Sequence, residues 1–208
     1  MKMSTQKRQE LEQIHSLLQQ HDKNIQAINQ VAMVLYEKGF PLKRVLEAYS
    51  NYLARWPASP GAAYNFAWYL ARDGQFEPSI RMYRQALDLG IDQPEEVHLN
   101  MANIYMDHLV DNEKARSEFQ KALDIDPLYF GAWHNLGNLA EQMGDREQAA
   151  ACFEKCLAID PGNESALARL ADTHRFREKE DPLFARLAEK AGASNNSDLH
   201  FALGSACN

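Results

Sequence analysis

One spacing governs this chain: the pairs Phe66-Ala67, Met101-Ala102 and Leu136-Gly137 recur every 35 residues. Each pair sets a large apolar residue beside a small one on the inner stripe of an amphipathic segment. Each such segment is followed by a turn and a second amphipathic segment, over residues 63–90, 98–127 and 130–161. A helix pair of this size cannot bury both apolar faces alone. It needs a copy on each side, so a chain with this period must build its core by stacking.

The unit at residues 130–161, FGAWHNLGNLAEQMGDREQAAACFEKCLAIDP, is the clearest. Trp133, Leu136, Gly137 and Ala140 share one face of its first helix. Gly144-Asp145 then breaks the pattern where a left-handed turn residue is needed. The second helix presents Ala149, Phe153, Cys156 and Leu157 inward and stops at Asp160-Pro161. Small Gly137 and Ala149 permit a close approach, with Trp133 and Phe153 filling the space around them. On these residues the chain resembles a tetratricopeptide repeat (TPR) protein. The resemblance implies an all-α α-solenoid of antiparallel helix pairs, about twelve helices in a right-handed superhelix. It implies scaffolding rather than any one chemistry.

The boundaries follow from the pattern, within a single domain over 1–208. Ser4 caps a helix over residues 4–24 whose stripe of Leu11, Ile14, Leu17 and Leu18 covers the open end of the stack. Repeat units follow at 25–58, 60–92, 94–128 and 129–162, the third with an extra turn residue at Leu109-Val110-Asp111. A divergent unit spans 163–197, with Arg175 to Asp181 replacing its tight turn, a short rear helix and a flexible polar link. Residues 198–208 restart the front-helix pattern and stop partway through it, which reads as the front piece of a longer protein.

That tail carries a second resemblance, to the junction segment of bacterial TPR–sulfotransferase fusion proteins. Its residues are Asp181-Pro182-Leu183, Ala185-Arg186-Leu187 and Leu199-His200-Phe201-Ala202-Leu203-Gly204. It implies a substrate-docking region ahead of a catalytic domain lying downstream of residue 208. Nothing within the chain itself offers the strand, loop and helix that cradle a sulfuryl donor's phosphates.

Composition narrows the function. The net charge of −7 and the lack of a Lys/Arg stripe argue against nucleic acid. No apolar run approaches the ~18 residues that span a membrane, and the polar start has no signal-peptide core. Three cysteines make no disulfide framework and fit a reducing, cytoplasmic compartment. Cys152 and Cys156 lie four apart, but no His or acid completes a metal set, and Cys156 takes the small-residue slot of Ala86 and Ala122. Packing is the better reading, and it extends to His174, which replaces Tyr105. No catalytic constellation, metal site or cofactor site emerges.

Asparagine makes the informative pattern. Asn65, Asn100 and Asn135 immediately precede the large-small pairs, and Asn103 and Asn138 follow three residues later. With the pairs in the core, these amides point to the inner, concave side. A carboxamide offers both donors and acceptors, which suits the backbone of an extended peptide. Asparagine is also common in these slots across TPR proteins, where it can simply solvate the groove. Tyr64 and Trp68 flank the row as an apolar anchor, Arg72 and Arg169 add positive charge, and His134 sits on the inner face. The lysines with which chaperone-binding TPR domains clamp a carboxylate are missing, since Asn29, Tyr64 and Leu99 fill those slots. The expected partner is a protein or extended peptide, with self-association through the C-terminal helix. The Phe201 and Leu203 face of that helix is expected to pack on the short helix before it, leaving its other apolar edge exposed.

Overall fold

The computed structural model describes residue 16, residues 24–174 and residues 181–206. Among the described residues there are eleven helices and no strand, so the all-α expectation holds. The helix expected over 4–24 and most of the 175–181 turn lie outside them. The chain divides into two compact units, Met1–Val97 and His98–Asn208.

The first unit contains α1 (Ile25–Glu37), α2 (Lys43–Arg55), α3 (Pro60–Arg72) and α4 (Phe76–Asp88). It also holds the opening of α5 (Pro94–Asp107), whose remainder lies beyond Val97. Asn24 starts α1 by accepting from the Gln26 and Ala27 amides, donors that a helix's first turn leaves without partners. Ile28, Ala32 and Leu35 fall at helical spacing and are buried against Val45 and Tyr49 of α2. Small residues bring α3 and α4 together: Ala67 is fully buried, and Ser79 donates its hydroxyl to the Ala67 carbonyl at 2.7 Å.

Turns within the helix pairs share one design. After α3, Gly74 adopts φ +77°, and the Gln75 amide donates back to the Leu70 carbonyl at 2.9 Å. That satisfies a carbonyl the helix end would otherwise orphan, and it needs the left-handed conformation glycine tolerates. The turn after α5 departs from this. Val110 holds φ +52° there, and the closing bond runs one residue further, from the Asp111 amide to the Tyr105 carbonyl at 2.9 Å.

The second unit holds the rest of α5, then α6 (Asn112–Ile125), α7 (Phe130–Gln142), α8 (Arg146–Ile159), α9 (Glu164–Thr173), α10 (Pro182–Ala193) and α11 (Ser197–Ala206). Asp111, Asp145, Asn163 and Asp181 cap α6, α8, α9 and α10 respectively. One apolar cluster links Phe153 and Leu157 of α8, Leu167 and Leu170 of α9, Leu187 of α10, and Leu199 and Ala202 of α11. Burying one such large side chain contributes roughly 1.5–3 kcal/mol, while ordering each residue's backbone costs about 1–2 kcal/mol. Several mated helices are therefore needed before the gain exceeds the cost.

Three details differ from the sequence reading. Leu199 and Ala202, not Phe201, hold α11 in place, and Phe201 is 71% exposed. The segment read as a flexible link is tied down: Ser194 and Asn196 both donate to the Glu164 carboxylate, at 2.9 and 3.1 Å. His174 does not pack in the core. It is the C-cap of α9, exposed, with Nε2 2.8 Å from Asp181.

Candidate functional site

In the first unit, aromatic residues from α1 and α3 enclose a cavity of about 550 Å³. Tyr36 and Trp68 meet edge to face at 5.0 Å, and Trp68 and Tyr69 do the same at 5.0 Å. Tyr49 closes one end: its hydroxyl donates to Asn29 Oδ1 at 2.7 Å. The same oxygen accepts from Asn65 Nδ2 at 3.1 Å. Burial raises the Tyr69 hydroxyl to a pKa of about 12, with the nearby Glu37 charge and Tyr36 adding to it. Among the described residues, Glu37 is the only charged one lining the cavity.

Among the sequence-named residues, Tyr64, Asn65 and Trp68 line this cavity. Arg72 stands beside it, its guanidinium 4.2 Å from the centroid of the Trp68 ring. Tyr64 differs from the expected apolar anchor, because its hydroxyl donates to Glu96 at 2.5 Å. Glu96 and its neighbour Glu95 form the acidic first turn of α5.

The second unit carries a polar cavity of about 570 Å³ between α5, α7 and α9. Asn103, Asn135, Asn138 and Arg169 line it, together with Asp107 and Glu141. Asn135 Nδ2 donates to Asn103 Oδ1 at 2.8 Å. Two of the row's amides thus bond to each other while lining the cavity. Asn138 is different. Its Nδ2 sits 3.4 Å from His134 Nδ1, and its Oδ1 is shut from solvent with no partner among the described residues. A buried carbonyl acceptor without a donor costs about 1–3 kcal/mol, so turning the Asn138 amide toward the cavity to meet an N–H would recover part of that cost.

The one cation lining this cavity among the described residues is paired. Arg169 Nη1 lies 3.2 Å from Glu141 Oε2. Burial raises the Glu141 carboxyl above its usual range, Arg169 pulls it back, and Asp172 adds to the rise. Arg169 is therefore not a free cation. His134 stacks on Phe130 at 5.9 Å and meets Phe153 edge-on at 5.9 Å, so its ring is held by packing beside the amides. Asn100 is half-buried on α5 and lines neither cavity.

Tyr36, Glu37 and Glu141 were missed by sequence reasoning. Glu141 follows Asn135 and Asn138 at steps of three on one helix face, a signal that was available. Tyr36 lies just beyond the Ile28, Ala32, Leu35 stripe, together with exposed Met33. The apolar surplus of α1 could have pointed to it. Elsewhere, burial pushes the Cys152 and Cys156 thiols up to about 11 and about 12. Among the described residues, no three of His, Cys, Asp and Glu form a metal-holding group, and no helix is long and apolar enough to cross a membrane.

Residues 130–163 and 95–127 match models of the tetratricopeptide repeat, so the chain carries repeats of that kind. A comparison with curated proteins gives no match. Among solved structures, the chain is similar to PilW, a widely conserved type IV pilus biogenesis factor. That likeness has a TM-score of 0.72 at 19% identity, over 94% of this chain and 90% of the other. It is also similar to YrrB, described as a TPR protein with an unusual peptide-binding site. The TM-score there is 0.62 at 17% identity, covering 92% and 96%. The first TPR of Spaghetti (RPAP3), bound to an HSP90 peptide, covers 55% of this chain and 91% of its own at 19% identity, with a TM-score of 0.50. At these identities the likeness shows the fold.

Proposed function

We propose that this chain is a non-catalytic interaction scaffold that holds an extended peptide, or an extended segment of a partner protein, against its row of amides. The observation that carries the reading is the Asn103–Asn135–Asn138 wall. There a shut-in Asn138 carbonyl lacks a donor beside the bonded Asn135–Asn103 pair. A backbone N–H is the group that completes it, and an extended peptide presents one at every second residue on a given side. Peptide binding by YrrB and by the Spaghetti repeat supports the reading by likeness of fold. A carboxylate clamp of the chaperone-tail kind lacks its cations here. Asn29 is engaged with Tyr49 and Asn65, Tyr64 with Glu96, and Leu99 sits against Gly131. The chain acts in the cytoplasm, where Cys152 and Cys156 stay thiols.

The test is selection of peptides from a random library, followed by affinity measurement on Asn135→Ala and Asn138→Ala. Each lost hydrogen bond contributes about 0.5–1.5 kcal/mol, so selected peptides should weaken by roughly twofold to tenfold per variant. N-methylation of one backbone amide should reproduce the loss. Peptides indifferent to both variants would show that these amides only solvate the groove.

A second reading rests on the 181–204 segment, where Asp181 caps α10 and Leu199 seats α11. In it the chain is the substrate-docking region of a bacterial sulfotransferase. A phosphate-cradling strand–loop–helix encoded after residue 208 supports it, and further repeats there would end it.

A further inference from the structure

The aromatic cavity of the first unit has a chemistry that peptide-backbone binding does not use. We infer that it is a specificity pocket for an arginine side chain, laid against the aromatic wall of Tyr36, Trp68 and Tyr69 with its charge met by Glu37. The inference deepens the peptide-binding reading by naming a residue type that the bound segment carries.

Three observations converge. The walls are aromatic, with Tyr36, Trp68 and Tyr69 set nearly perpendicular to one another, at 75°, 84° and 73° between ring planes. The rings touch one another edge to face, so they form one wall for a ligand to lie against, and a cation over a ring face is drawn to its quadrupole. Among the described residues, the one charged group on the walls is Glu37, which is exposed and has no ion-pair or hydrogen-bond partner among them. An unpaired carboxylate at an apolar cavity selects for a cation and against an anion.

Arg72 then shows what kind of cation Trp68 accepts: a guanidinium, in contact at 4.2 Å. Guanidinium is planar and weakly hydrated, so it leaves water for an aromatic wall more readily than an ammonium does. The raised Tyr69 hydroxyl is consistent with this, because part of its rise comes from the Glu37 charge. The cavity, at about 550 Å³, has the size of a ligand pocket.

A small probe separates this pocket from the peptide reading. The full chain is titrated with n-butylguanidinium and with neutral, isosteric n-butylurea, following the tryptophan indole N–H signals by NMR. Trp56 and Trp133 serve as internal references, Trp133 being bonded to the Pro127 carbonyl. Butylguanidinium should shift the Trp68 signal and bind about tenfold tighter than butylurea. Glu37→Gln should remove most of that preference without changing the melting temperature, since the residue is exposed. Equal binding of the two probes, no shift at Trp68, or an unchanged preference in Glu37→Gln would each overturn the inference. Asn138→Ala should leave butylguanidinium binding intact, so failure of the amide wall and failure of this pocket are read separately.

Discussion

The Phe153 ring occupies the space that a side chain on Gly137 would need: a Cβ there would stand 2.7 Å from Cε1 and 2.9 Å from Cζ. The contact joins α7 to α8 through a ring that is completely buried. Here glycine is required for proximity, not for an unusual backbone angle.

Gly137→Ala should therefore destabilise the second unit, by about 1–3 kcal/mol as overpacked cores do, despite alanine's better helix propensity. Adding Phe153→Leu should recover part of the loss by removing the ring edge. Urea denaturation of the single and double variants checks it. A neutral Gly137→Ala would mean the two helices separate at little cost.

At the turn after α5, Val110 is β-branched, 76% exposed and left-handed at φ +52°. The left-handed conformation costs about 1–2 kcal/mol per non-glycine residue. Part of the gain from glycine is offset by its extra freedom when unfolded. Val110→Gly should still raise stability, by about 0.5–1 kcal/mol, read as a higher urea midpoint. The residue makes no buried contact whose loss would oppose this.

Glu118 gives an acid-side signature. Burial pushes its carboxyl up, but hydrogen bonds from His98 at 2.6 Å and Lys121 at 2.8 Å more than offset that, so it titrates below its ordinary value. With the folded pKa below the unfolded one, its contribution is complete above the unfolded carboxylate range. It is lost as pH falls through the folded value. Glu118→Gln should remove about 1.5–3 kcal/mol at neutral pH, the scale for hydrogen bonds to charged groups. The difference from the parent should then shrink on acidification below pH of about 4. A constant difference from pH 7 to pH 3 would exclude a role for this ionisation.

Cys152 and Cys156, raised to about 11 and about 12 by burial, carry almost no thiolate at neutral pH. In a Cys207→Ser background, iodoacetamide should alkylate the native chain at pH 8 at least tenfold more slowly than a free thiol of ordinary pKa near 8.5. Unfolding in urea should abolish the protection. Mass spectrometry that finds Cys152 modified at the rate of a free thiol would show that α8 opens readily.

The repeat and its turns were legible because they rest on local rules. The stripes at helical spacing, Gly74 and Gly144 after their helices, and the acidic caps each need only a few neighbouring residues to specify. The amide pairing was not legible. Whether Asn135 faces solvent or bonds to Asn103 depends on the distance between two helices 32 positions apart. The orientation of α11 failed for a related reason. Phe201 is the larger apolar residue, but the position of α9 and α10 puts Leu199 and Ala202 on the buried side. His174 was misplaced because the repeat register was carried past Thr173, where α9 ends.

Glu164 opens α9 and receives both donors from the segment that leads into α11. A single carboxylate thus works as a latch between a helix start and a strap some thirty positions later. Releasing the strap strands that carboxylate without its two protein donors while it exposes Leu199. The two losses fall together, so the C-terminal helix detaches as one block and does not fray residue by residue.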